Sequence, residues 1–107
     1  MTKFIYLYRG PAAAMSGRTP EQGAARMAAF SAWMQQAGPA LIDVGSPFGT
    51  SASVRDDGTE GTARDLTGYT IVEASDLAAA KALTSGLPFL SGSDGNCAVE
   101  IFELLEM

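Results

Sequence analysis

"GYTIVEASDLAAAKALTSG", residues 68–86, decides the fold class because it joins a strand directly to a helix. Residues 68–74 read as a strand from Tyr69, Thr70, Ile71 and Val72, aromatic and β-branched side chains that suit a pleated surface. Residues 75–86 read as a helix. Ser75 is placed to cap it, Asp76 sits in the first turn where the helix dipole favours negative charge, and Gly86 closes it.

Working outward, the chain holds a second such unit. "KFIYLY", residues 3–8, is a strand by composition and length, and after the small-residue loop "GPAAAMSGR" the run "TPEQ" opens a helix. Thr19 can cap, Pro20 suits the first helical position because it has no N–H to leave unbonded, and Gln22 completes a capping box. At 100° per residue Gly23, Met27, Phe30, Trp33, Met34 and Ala37 share one stripe, and Gly38-Pro39 ends the helix. "ALIDVG" is a second strand and "TSASVR" a third, joined by the corner "GSPFG", where Pro47 is expected to interrupt the ladder and Phe48 to bury its ring. "DDG" at 56–58 is a hairpin turn, "TEGTARD" a short edge strand or a loop, "LPFL" a packed turn, "GSDGN" a loop, and "CAVEIFELLEM" the closing strand. The order βαβββαβ or βαββαβ describes one α+β domain over residues 1–107.

Composition excludes several function classes. A net charge of −5 with seven lysines and arginines scattered singly offers no basic stripe for a phosphate backbone, so no nucleic-acid partner is expected. Hydrophobic residues at 47% exclude a charge-dominated disordered chain. No apolar run nears the roughly 18 residues of a spanning helix, and "MTKFIYLYRGP" lacks a signal peptide's features, so no membrane partner and a cytoplasmic location are expected. With no histidine and one cysteine, zinc sites, haem ligation by His and a Ser-His-Asp triad are excluded within this chain, and no metal or cofactor is expected. Cys97 reads as a small buried hydrophobe at the start of the last strand.

The strands are apolar on both faces. Phe4, Tyr6 and Tyr8 alternate with Ile5 and Leu7; Tyr69 and Ile71 with Val72 and Ala74; Phe102 and Leu104 with Val99, Ile101 and Leu105. An antiparallel sheet with one wet face alternates apolar with polar instead. Two helices cover one face, and a second copy of the same sheet is the simplest cover for the other, so a homodimer by sheet-to-sheet packing is expected.

Five stretches carry a family resemblance: "KFIYLYRG", "AAFSAWMQQAG" with Phe30 and Trp33, "LIDVGSPFG", "GYTIVEASDLAAAKAL" with Gly68, Tyr69, Glu73 and Ala74, and, after Pro88, the terminal "VEIFEL". Together they resemble the YCII-related family, including its sigma-factor-associated branch. The resemblance implies a ferredoxin-like antiparallel sheet with two helices on one face, pairing as a dimeric α+β barrel. Some members are proposed to use a His and Asp pair; this chain has no His, and Met27 falls near where it would stand. The Asp-Gly-Pro-Phe motif of another branch is present only as Ser46-Pro47-Phe48 after Gly45.

Candidate site residues follow from chemistry in an apolar setting. Asp43, between Ile42 and Val44, is a candidate proton carrier if buried, or a cap that bonds Ser46 or the turn backbone. Arg9 is its candidate ion partner or an anion-binding group. Glu73 is a second candidate acid, although carboxylates placed as it and Glu100 are, within apolar strands, more often form interface ion pairs. Tyr8, Trp33, Ser46 and Tyr69 are candidate ligand contacts, with Trp33 also readable as core and Ser46 as a turn residue that no base activates. The reading is a small domain that binds a small polar molecule between the first helix and the sheet or inside the barrel, with acid-base transfer through Asp43 or Glu73. Its alternative is a non-catalytic homodimeric interaction or regulatory module.

Overall fold

The computed structural model describes residues 1–10, 20–63, 65–90 and 97–106. Strand β1 (Thr2–Arg9) leads to helix α1 (Pro20–Ala37), a 3-10 turn (Gly38–Ala40) and the short β2 (Leu41–Asp43). A two-stranded ribbon, β3 (Ser53–Val54) and β4 (Glu60–Gly61), precedes β5 (Leu66–Ala74), helix α2 (Leu77–Ala82), a second 3-10 turn (Pro88–Leu90) and β6 (Ala98–Leu104). The main sheet is antiparallel in the order β2-β5-β1-β6, the small α+β ferredoxin-like fold. The expected Thr19 cap, its Gln22 side chain and the loops 11–19 and 92–96 lie outside the described residues.

Strand alternation sorts the core. Phe4 and Tyr6 of β1 lie opposite Val72 and Thr70 of β5, and all four are buried on the face that carries the helices. Trp33 and Ala37 of α1, Ala80 of α2, and Leu87 and Phe89 close this core, with Cys97 half-buried against it. The other face carries Ile71, Ile5 and Phe102 in one row across three strands, flanked by Leu7 and Leu104, and Phe102 is 50% exposed. The chain is accordingly a slab, 22 Å in its thinnest dimension, with a radius of gyration of 15.1 Å against about 13 Å for a compact chain of this size.

Three details depart from the expectations. The α2 cap is Asp76, whose extended backbone lets its carboxylate accept from the Ala79 N–H at 2.8 Å; Ser75 stands one residue too early. β3 leaves the main sheet and pairs with β4 across the Asp56–Gly58 turn, where Gly58 has φ +86°. The β2–β5 ladder stops at Asp43, ahead of Pro47, and the chain returns to β5 in an isolated bridge: Ser46 accepts from the Tyr69 N–H at 3.4 Å and the Phe48 N–H donates to Thr67 at 2.8 Å, so Pro47 sits opposite Gly68 in a pair that needs no N–H.

Tyr6 supplies a pH test of this core. Its hydroxyl donates to the Ala80 carbonyl, and burial, with the neighbouring Tyr8 phenol, pushes its pKa up from 10.0 to about 12. The unfolded chain therefore ionises first as pH rises. The stabilisation is complete below pH 10.0 and is lost as pH climbs through about 12. Urea midpoints should fall across that window, and Tyr6→Phe should flatten the fall while costing about 1 kcal/mol at neutral pH from the lost hydrogen bond. A wild-type midpoint that stays level through the window contradicts this account.

Candidate functional site

The corner after β2 is built by close approach. Gly45 has φ +78°, and a Cβ placed on it would lie 1.7 Å from the Tyr69 carbonyl oxygen, so no side chain fits between corner and sheet. Asp43 is exposed, and its Oδ1 accepts from the Gly45 N–H at 2.9 Å, which fixes the turn. Gly68 allows Pro47 to lie flat on β5, since a Cβ there would come within 3.3 Å of the Pro47 Cα.

Between this corner and α1 lies a cavity of about 530 Å³. Its α1 wall is Met27, Phe30 and Met34 with Gly23 at its N-terminal end; Val44 to Pro47 form a second side, Thr67 to Thr70 and Tyr8 the floor, and Leu87 to Phe89 the far end. The Tyr8 and Phe89 rings meet at 5.2 Å between centroids. None of the described lining residues is charged.

The polar feature of the floor is a chain of hydroxyls. Tyr8 and Thr70 share a 2.6 Å hydrogen bond, and Thr70 donates to the Val44 carbonyl at 2.9 Å. Burial raises the Tyr8 pKa from its ordinary value of 10.0, an effect partly opposed by its hydrogen bond with Thr70, so the phenol is neutral at physiological pH.

Of the residues singled out from sequence, Tyr8, Ser46 and Tyr69 border the cavity. The Pro47–Gly68 register sets Ser46 and Tyr69 on the sheet face away from the helices, where the Tyr69 ring stacks on Phe48 at 5.9 Å and the Ser46 hydroxyl donates to the Pro47 carbonyl at 3.3 Å. Phe48, expected to be buried, is 42% exposed. Trp33 lies behind the cavity wall, 2% exposed, with its indole N–H donating to the Leu83 carbonyl at 2.7 Å.

Arg9 does not pair with Asp43; its Nε meets Glu100 Oε1 at 3.0 Å on the open sheet face, within one chain. Glu73 lies on the same face, opposite Lys3. Asp43, opposite Ile71, is held to its own turn by the Gly45 amide, while Glu73 lies opposite Lys3.

Sequence reasoning missed Thr70, Met27 and Met34 as site residues. Thr70 carried a signal: it is the polar residue at core parity between Gly68 and Val72. Both methionines belong to the helix stripe read from sequence, and Met27, near where the family's His would stand, is 70% exposed at the cavity rim. Among the described residues no group of three His, Cys, Asp or Glu is arranged to hold a metal ion, and no helix is long and apolar enough to cross a membrane.

A model of the YCII-related domain matches residues 1–105. No match to this chain is found among curated proteins.

Proposed function

This chain belongs to the YCII-related family, and from that premise we propose that it binds a small, uncharged molecule in the cavity between α1 and the sheet, as one half of a homodimer. The observation that carries this reading is the cavity itself: about 530 Å³, within the range of ligand pockets, with apolar walls and one convergent hydroxyl chain. The expected small polar ligand becomes a molecule with an apolar body and a single hydrogen-bonding group. Binding rather than acid-base catalysis is favoured because the described lining offers neither a carboxylate nor a cation, and Asp43 is spent on the corner it caps.

Two features support the homodimer. The open sheet face presents an apolar row of Ile71, Ile5 and Phe102, and the protomer is only 22 Å in its thinnest dimension. A specific dimer on such a face is expected to bury at least about 1,000 Å² in total.

Gly23 provides the test of the cavity. It borders the cavity, and a Cβ added there meets nothing within 4 Å, so the position is open to a side chain and Gly23→Leu is expected to occupy ligand space. The substitution should raise helix stability by roughly half to one kcal/mol. Trp33 is the single tryptophan and its ring lies 5.7 Å from that of Phe30, so its fluorescence reports occupancy. Phenol should shift Trp33 emission saturably in the wild type and not in Gly23→Leu. Equal titrations in both proteins would remove the cavity as the binding site.

A further inference from the structure

We infer that the cavity selects its ligand as a hydrogen-bond donor, because Tyr8 presents only an acceptor lone pair to it; this rests on the binding reading above. The count of hydrogens decides the direction. A carbonyl can only accept, so the single Thr70 hydroxyl hydrogen is committed to Val44 at 2.9 Å. The 2.6 Å contact between Thr70 and Tyr8 must then use the phenol hydrogen of Tyr8. What remains on the phenol oxygen is acceptor capacity.

The other hydroxyls among the described lining residues do not restore a donor. Thr67 donates to the Tyr8 carbonyl at 3.2 Å and Ser46 to the Pro47 carbonyl at 3.3 Å. Tyr69 borders the cavity, but its ring lies on the opposite face of the sheet. A half-buried, neutral phenol also offers no anion to a cationic ligand, and the described lining offers no cation to a carboxylate. The fitting class is an uncharged aromatic or aliphatic molecule bearing one O–H or N–H: a phenol, an alcohol, an amide or an N–H heteroaromatic. Ethers and esters of the same shape fit the walls and lack the donor.

Phenol and its methyl ether, anisole, differ by that donor and are titrated by NMR into three proteins. In the wild type both should shift the side-chain resonances of Phe30 and Phe89. Tyr8→Phe, which deletes the acceptor and keeps the ring, should lower the ratio of anisole Kd to phenol Kd by roughly 2- to 12-fold. Thr70→Val keeps the shape of the floor and releases the phenol hydrogen of Tyr8 to the cavity, so the ratio should also fall as anisole gains a donor. It stands as the second test if Tyr8→Phe fails to fold. Unchanged ratios in the variants, with both compounds bound, would overturn the donor rule and leave the cavity reading intact. If neither compound shifts Phe30 or Phe89 in the wild type, the cavity reading fails and the donor rule falls with it.

Discussion

Gly45→Ala is expected to destabilise the protein by on the order of 3–5 kcal/mol, a large effect for the addition of one methyl group. The left-handed backbone at φ +78° accounts for roughly 1–2 kcal/mol. The larger part comes from the contact: a Cβ 1.7 Å from the Tyr69 carbonyl oxygen cannot be accommodated by a side-chain rotation, because the obstacle is backbone. The corner must lift off β5. That move strains the bonds from Tyr69 to Ser46, from Phe48 to Thr67 and from Thr70 to Val44, each of net value about 0.5–1.5 kcal/mol. One side of the cavity moves with it, so phenol binding should weaken in whatever fraction remains folded. Gly49→Ala is the control, since an added Cβ there meets nothing within 4 Å and should cost little. Urea unfolding measures both, and equal midpoints for the two variants would show that the corner is not seated on β5 as described.

Phe102→Asp is expected to convert the proposed homodimer to a monomer, raising its dissociation constant on the order of a hundredfold or more. Phe102 lies opposite Ile5, which lies opposite Ile71, so a carboxylate there enters an apolar row. In a two-fold interface each substitution appears twice, and the new charges are desolvated without partners. The protomer itself should stay folded, because Phe102 is already 50% exposed in the single chain and contributes little to its core. Sedimentation at micromolar concentration together with circular dichroism separates the outcomes. A wild type that sediments as a monomer, or a variant that keeps the dimer mass, would remove sheet-to-sheet pairing.

Much of the fold was legible because its signals are local. Pro20 and Gly38 bound α1 and Gly58 turns the ribbon, each for reasons of backbone geometry within a few residues, whereas α2 ends at Ala82, before the Gly86 expected to close it, and Gly86 (φ +83°) ends the turn that follows. The alternation of Phe4 and Tyr6 with Ile5 and Leu7 already implied two apolar sheet faces, and the register confirms which set meets the helices. The α2 cap slipped by one residue because Ser75 and Asp76 are both good caps, and the choice depends on where β5 releases the chain.

The site was less legible because it is made of distant segments. Tyr8 and Thr70 are 62 residues apart, and their hydrogen bond exists only because β1 and β5 pair in one particular register. Pro47 looked like a ladder break since its lost N–H is a local fact, whereas its place in a pair that requires no N–H is set by β5. Asp43 and Arg9 looked like partners by charge; folding gave the first to the Gly45 amide and the second to Glu100. Residue type and short-range spacing already specify the strands, the helices, the two apolar faces and the absence of histidine chemistry. Only the tertiary structure decided where the cavity lies, that its described walls carry no charge, and which way its hydroxyl hydrogens point, because those depend on register and on contacts that no local pattern encodes.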